Sequence, residues 1–183
     1  MYSFVEQLLA AGITLLQYRN KQGSAREILQ EARELRRIAG TRARLILNDR
    51  PDLAVAADFD GVHVGQHDLS PEAARAIIGP DRWLGVSTHN SEQLVQADKT
   101  DANYVAIGPV FDTTSKDKPD PIVGLDGVHR ARILTRKPLV AIGGITRASA
   151  FDVIAAGADS VAVISDLLED PATAVRQFLA ALR

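Results

Sequence analysis

The hydrophobic patterning of the chain predicts an α/β protein, a (β/α)8 TIM barrel lacking its first β-strand. Three observations lead there. Short Val/Ile/Leu-rich runs alternate with amphipathic stretches, the order expected of parallel strands joined by right-handed helical crossovers. The short runs are almost continuously apolar, as strands buried on both faces are. The tally is seven strands against eight helices, beginning and ending on a helix, which is a barrel minus its opening strand. A doubly wound sheet of seven strands is the less economical alternative. With 183 residues, the chain is shorter than the roughly 200–250 such barrels use, and residues 1–183 are expected to form a single domain.

The chain opens with a helix near Ser3–Ala11, before the first visible strand, Ile13–Tyr18. Ser24, with Glu27 three residues on, forms a capping box for a helix over Ala25–Ala39 that stops at Gly40. Strand Arg44–Asn48, a short helix at Asp52–Ala57 and strand Gly61–Gly65 follow. Ser70-Pro71 opens a helix ending near Gly79-Pro80, because proline suits the first helical turn. Next come strand Trp83–Ser87, a helix over Glu92–Ala97 capped by Ser91, strand Tyr104–Ile107 and a helix over Leu125–Leu134. Strand Leu139–Ile142 leads through Thr146 to a helix over Arg147–Ala156, and strand Ser160–Ile164 to a last helix, Ala172–Leu182, opened by Asp170-Pro171.

Composition narrows the function. Lys plus Arg total 21 against 23 Asp plus Glu, a net charge of −2, which argues against nucleic acid or an anionic membrane as partner. A few cations focused in one cleft would still hold a small anion. The absence of Cys excludes disulfides, thiolate metal sites and a Cys nucleophile. No apolar run approaches the roughly 18 residues of a membrane helix and no basic-then-apolar leader opens the chain, so a cytoplasmic protein is expected.

Parallel β/α folds bind ligands at the carboxyl ends of their strands, and polar residues of this chain concentrate there. Gly143-Gly144 ahead of a helix, with Ile164-Ser165 after the neighbouring strand, suits a phosphate held on backbone N–H groups; a tight turn is the alternative. Arg19, Lys21 and Lys116 with Asp49 and Asp68 suit a diphosphate held with Mg²⁺, although each residue alone could be structural. His63 fits the barrel interior, His67 and His129 the surface, and Trp83 and Tyr104 read as packing at the far end of their strands. His89 could touch a ligand, but no spacing supports a metal site or triad.

The segments QYRNK (Gln17–Lys21), LNDR (Leu47–Arg50), GVHVGQHDL (Gly61–Leu69), GVSTHN (Gly85–Asn90), AIGPVFDTTSK (Ala106–Lys116), VAIGGI (Val140–Ile145) and ADSVAVIS (Ala158–Ser165) together resemble the thiamine phosphate synthase family over nearly the whole chain. The resemblance implies a (β/α)8 barrel that joins 4-amino-5-hydroxymethyl-2-methylpyrimidine diphosphate to hydroxyethylthiazole phosphate, releasing diphosphate with Mg²⁺ required. It implies pyrimidine-diphosphate contacts at Gln17, Arg19, Lys21, Asn48, Ser87 and Lys116, with Tyr18 and Asn20 in the same substrate-binding run. Arg19, Lys21, Lys116 and Ser87 are the expected catalytic set, and Asp49 and Asp68 the magnesium ligands. Thr113, Thr114, Ser115, Gly144, Ile164 and Ser165 are implied contacts of the thiazole phosphate.

Tyr18 and Asn20 stand where the family usually has Leu and Glu, Ser115 replaces a Thr, and the family's opening strand is missing. Another segment or a second subunit in a homo-oligomer could cover that gap. Two other readings stay open on the sequence alone. One is a thiazole phosphate tautomerase with His89 as base, and the other a non-catalytic ligand-binding module. The set Arg19, Lys21, Asp49, Asp68 and Lys116 favours the synthase, because a tautomerase has no diphosphate to hold.

Overall fold

The structure is a computed structural model and describes residues 1–113 and 120–182. Thr114, Ser115 and Lys116 lie outside the described residues. The strands are β1 (Leu15–Tyr18), β2 (Arg44–Asn48), β3 (Gly61–Val64), β4 (Trp83–Thr88), β5 (Tyr104–Ile107), β6 (Leu139–Ile142) and β7 (Ser160–Ala162). The helices are α1 (Tyr2–Ala10), α2 (Ala25–Ala39), α3 (Pro51–Ala56), α4 (Pro71–Ile78), α5 (Ser91–Asp98), α6 (Gly124–Leu134), α7 (Ala150–Ala155) and α8 (Pro171–Ala181), with a 3-10 turn at Ser165–Leu167. All strands are parallel and each pairs with its sequence neighbours, so the sheet runs in order from β1 to β7.

Local chemistry explains most element ends. The capping box forms as expected, with the Ser24 side chain accepting from the Glu27 N–H while Glu27 accepts from the Ser24 N–H at 2.8 Å. Ser70 and Asp170 cap α4 and α8, each followed by proline at the first helical position. Asn90, rather than Ser91, caps α5 by accepting from the Gln93 N–H at 2.9 Å. α7 starts at Ala150, three residues later than expected from Arg147, because Thr146 and Ser149 form a turn that holds the entry. β7 ends at Ala162, two residues short of the expected Ile164, since it has a paired neighbour on one side only.

The strand starts carry a repeated polar device. Asp60, Asn103 and Asp159 each precede a strand, and each side chain accepts the N–H at the start of the strand before it, from Leu45, Leu84 and Leu139 at 2.7, 2.8 and 2.7 Å. Arg36 of α2, Arg75 of α4 and Arg132 of α6 in turn clamp these three acceptors. Each acceptor satisfies a ladder-end N–H, and the arginine holds the acceptor in place.

The central strands are buried on both faces, with all four residues of β3 buried. The eighth strand of the expected barrel is not present among the described residues, so β1 and β7 form the sheet's edges. The helical layer nevertheless passes over this gap, because α1 packs against both α2 and α8. Beneath it Leu15 is 44% exposed. Unpaired ladder groups exchange readily with water. Hydrogen exchange is therefore expected to be faster in β1 and β7 than in β3 and β4, and equal protection across the sheet would show the edges to be covered.

Candidate active site at the carboxyl ends of the strands

Residues 17 to 21 leave β1 with alternating directions, as a strand must. Gln17 points to the rim and donates from Nε2 to Asn48 Oδ1 at 3.1 Å. Tyr18 turns the other way, is buried, and hydrogen-bonds Glu31 of α2; burial first and that bond second push its phenol up to about 12. Asn20 also donates to Glu31, at 3.2 Å, and accepts the N–H groups of Gln22 and Gly23. The side chains of Tyr18 and Asn20 thus brace the β1–α2 loop from outside instead of lining the rim. Arg19 is exposed and makes no ion pair with the described residues.

Lys21, at the end of this run, lies between two carboxylates. Its Nζ is 2.5 Å from Asp49 Oδ2 and 3.9 Å from Asp68 Oδ1. Asp49 follows β2 with φ +65°, a left-handed conformation that Asp tolerates better than most residues. Its N–H donates to His63 O at 2.8 Å, fixing this turn against β3. Asp68 is held from the next loop, where its Oδ2 accepts from the Gly65 N–H at 2.8 Å.

Burial, then the adjoining Asp68 carboxylate, raise the proton affinity of Asp49 in spite of Lys21. For Asp68, burial acts in the same direction, but hydrogen bonds from Asp49 and the Gly65 N–H outweigh it and hold its carboxyl below the usual range. Two hard oxygen donors in contact with each other, with an ammonium already between them, are a donor set that fits Mg²⁺. Among the described residues no third His, Asp or Glu joins them, so the remaining ligands of such an ion would be water and substrate oxygens.

Ser87 near the end of β4 faces the same side. Its Oγ is 2.7 Å from His63 Nε2, and its carbonyl accepts from Gln66 Nε2 at 2.7 Å. His63 is 7% exposed, and its Nδ1 is 3.0 Å from the Tyr104 hydroxyl. Tyr104 is therefore tied to the interior by a polar contact, beyond the packing role read from its position. The signal for this contact is Gly85, a glycine inside an apolar strand run, which marks a close approach.

Burial pushes the His63 imidazole down to about 4, against a weaker upward pull from Asp68. The folded protein therefore declines a proton that the unfolded chain accepts below its ordinary value near 6.5. Stability is complete above about pH 6.5 and falls as the pH drops from there towards 4, by about 3 kcal/mol in total from this residue. Thermal unfolding of the native protein and of His63→Gln across this range is expected to show a steeper acid loss in the native protein; parallel curves would exclude His63 as the cause.

The second predicted anion site brings together two neighbouring loops. Gly143 and Gly144 have φ of +90° and +64°. A Cβ at Gly144 would lie 2.3 Å from Asp112 O, so the glycine lets the β6 exit approach the loop carrying Thr113. Arg147 ties this exit to the 3-10 turn after β7, since its N–H and its guanidinium both donate to Asp166 at 2.8 and 3.0 Å. Ile164 and Ser165 are exposed at the start of that turn. Sequence reasoning missed the Arg147–Asp166 tie, whose partners are 19 residues apart with no shared motif. His89 is engaged as well, donating from Nδ1 to Gly108 O at 2.5 Å and meeting Asp120 at 3.4 Å.

A family model described as thiamine monophosphate synthase matches residues 1–167. The thiamine-phosphate synthase of Koribacter versatilis is 62% identical over 176 residues, covering 96% of this chain and 83% of its own length. That of Chloroflexus aurantiacus is 45% identical, covering 96% and 82%. The solved structure of a thiamine phosphate pyrophosphorylase from Pyrococcus furiosus superposes with a TM-score of 0.90 at 32% identity, covering 99% of this chain and 88% of that one. A transferase built on a parallel β/α sheet is the class that fold and relatives define. Within it, the chain belongs to the thiamine monophosphate synthase family.

Proposed function

We propose that the protein condenses 4-amino-5-hydroxymethyl-2-methylpyrimidine diphosphate with hydroxyethylthiazole phosphate, giving thiamine phosphate and diphosphate. The observation that carries the site assignment is the Lys21 ammonium lying between Asp49 and Asp68 beside the Gln17–Asn48 pair. Formal charges at this rim cancel, Arg19 and Lys21 against Asp49 and Asp68. A bound diphosphate therefore calls for further positive charge, which Mg²⁺ on the two carboxylates and Lys116 would supply.

Lys21 and Arg19 hold phosphoryl oxygens, and Ser87 and Asn48 orient the substrate by hydrogen bonds. Mg²⁺, when bound, supplies neutralisation of charge developing on the leaving group. The bond between the pyrimidine methylene and the diphosphate oxygen breaks with its electron pair going to oxygen, and the ring amino group stabilises the methylene cation by resonance. The thiazole nitrogen then forms the new C–N bond with its own lone pair, so no protein base is needed. Gly144, Ser165 and the Thr113–Ser115 run hold the thiazole phosphate on the opposite side, and the protein's main contribution is orientation and exclusion of water.

The same proposal takes residues 1–183 as one domain of a (β/α)8 barrel whose remaining strand fits between β1 and β7. The free edges and the α1–α8 contact above them support it. A cytoplasmic setting belongs to this reading too; among the described residues no helix is long and apolar enough to cross a membrane. Incubation with both phosphorylated substrates, with and without Mg²⁺, tests the function: diphosphate release that requires both substrates and the ion is expected. Release without thiazole phosphate, or none with everything present, overturns it.

A further inference from the structure

We propose that Tyr104 and His63 form a hydrogen-bond relay of fixed polarity, which makes the Ser87 hydroxyl a donor to the bound substrate. The three side chains lie on adjacent strands, with Tyr104 hydroxyl to His63 Nδ1 at 3.0 Å and His63 Nε2 to Ser87 Oγ at 2.7 Å. A serine at this distance from a histidine resembles a nucleophile beside its base. The polarity of the relay decides otherwise.

Tyr104 has one hydrogen to donate, and His63 Nδ1 is its hydrogen-bond partner among the described residues. Were Nδ1 to carry a hydrogen, the buried phenol hydrogen would have no acceptor and would bear the full cost of its lost hydration. Tyr104 therefore donates and Nδ1 accepts. In a neutral imidazole the hydrogen then resides on Nε2, which donates to Ser87 Oγ. Ser87 cannot pass its proton to a ring nitrogen that is already protonated. Its hydroxyl hydrogen is left pointing to the rim, where a phosphoryl oxygen is the natural acceptor. Burial favours the required states, lowering the proton affinity of His63 and keeping the Tyr104 phenol protonated.

The contact is built into the strand register. His63 pairs with Gly85 and Gly85 with Tyr104, so the rings flank a residue without a side chain. A Cβ on Gly85 would lie 2.1 Å from Tyr104 Cζ and 2.5 Å from His63 Nδ1. The ring centroids are 5.5 Å apart across that space. Tyr104 and His63 are thus positioning residues acting through Ser87, and this inference rests on the proposed contact between Ser87 and the diphosphate.

The test combines a spectroscopic and a kinetic reading. Two-bond ¹H–¹⁵N correlation of ¹⁵N-histidine-labelled protein is expected to show His63 with Nε2 protonated and Nδ1 bare. In Tyr104→Phe, which keeps the ring, a population protonated at Nδ1 is expected, and kcat for diphosphate release falls about tenfold with KM for thiazole phosphate unchanged. Native His63 protonated on Nδ1, or a Tyr104→Phe protein with the Nε2 tautomer undiminished, overturns the relay. Ser87→Ala separates the two ideas. It is expected to lower kcat about 10–100-fold; an unchanged kcat with the native tautomer intact removes Ser87 from the site while leaving the relay standing.

Discussion

Asp49→Asn is expected to lower diphosphate release by about 100-fold or more while leaving the protein at least as stable as before. The two effects have separate causes. The substitution replaces a carboxylate, 2.5 Å from Lys21 Nζ, by a neutral amide and so weakens the hold on a divalent ion that the two acids would share. Asparagine tolerates the φ of +65° as well as aspartate does, so the backbone has no reason to move. It also removes a like charge from Asp68, whose carboxylate raises the proton affinity of Asp49. Steady-state release measured over a Mg²⁺ titration, beside a thermal melt, checks both parts. Full activity at saturating ion would take Asp49 out of the site, and a large fall in melting temperature would make its role structural.

Gly85→Ala is expected to cost a large amount of stability for a single added carbon. The new methyl would lie 2.1 and 2.3 Å from Tyr104 Cζ and Oη and 2.5 Å from His63 Nδ1. These atoms belong to stiff rings hydrogen-bonded to each other, and Ser87 holds the far side of the imidazole, so neither ring swings aside cheaply. Overpacking of this kind costs about 1–3 kcal/mol, and loss of a buried hydrogen bond adds about 1 kcal/mol. A total of about 3 kcal/mol lowers Tm by about 6–12 °C in a chain of this size. Calorimetric melting of the variant provides the check, and a shift below about 2 °C would show that the rings have room to part.

Much of the fold is legible in the sequence because its determinants are local. The Ser24–Glu27 box, the proline-opened α4 and α8, and the unbroken apolar runs of β2 and β3 act within a few residues of themselves. What depends on pairing is harder to see. The loss of Val163 and Ile164 from β7 follows from a missing neighbour, not from their own β-forming character. In the site, Asp49 and Asp68 stand 19 residues apart, and only the register that sets Asn48 beside His63 brings them together. Each alone looks like a turn residue; their grouping is suggested by their shared place at the carboxyl ends of the strands, and the magnesium role by the family resemblance. Tyr18 and Asn20 are the converse case, adjacent to rim residues in sequence but turned to Glu31. The His63 contacts were missed because they join three strands, and Gly85 between Leu84 and Val86 was the one visible trace.

Lys21 has a significance for the resting protein that its proposed catalytic work does not capture. Two neighbouring acids would repel each other in a molecule whose ion supply fluctuates, and many small metal-dependent domains answer this by staying unfolded until loaded. Here the compensating cation is tethered to the chain itself, carried on the run leaving β1 to within 2.5 Å of one acid and 3.9 Å of the other. Part of the charge compensation at these strand ends is thereby a property of the polypeptide and lessens the repulsion that an ion would otherwise have to offset.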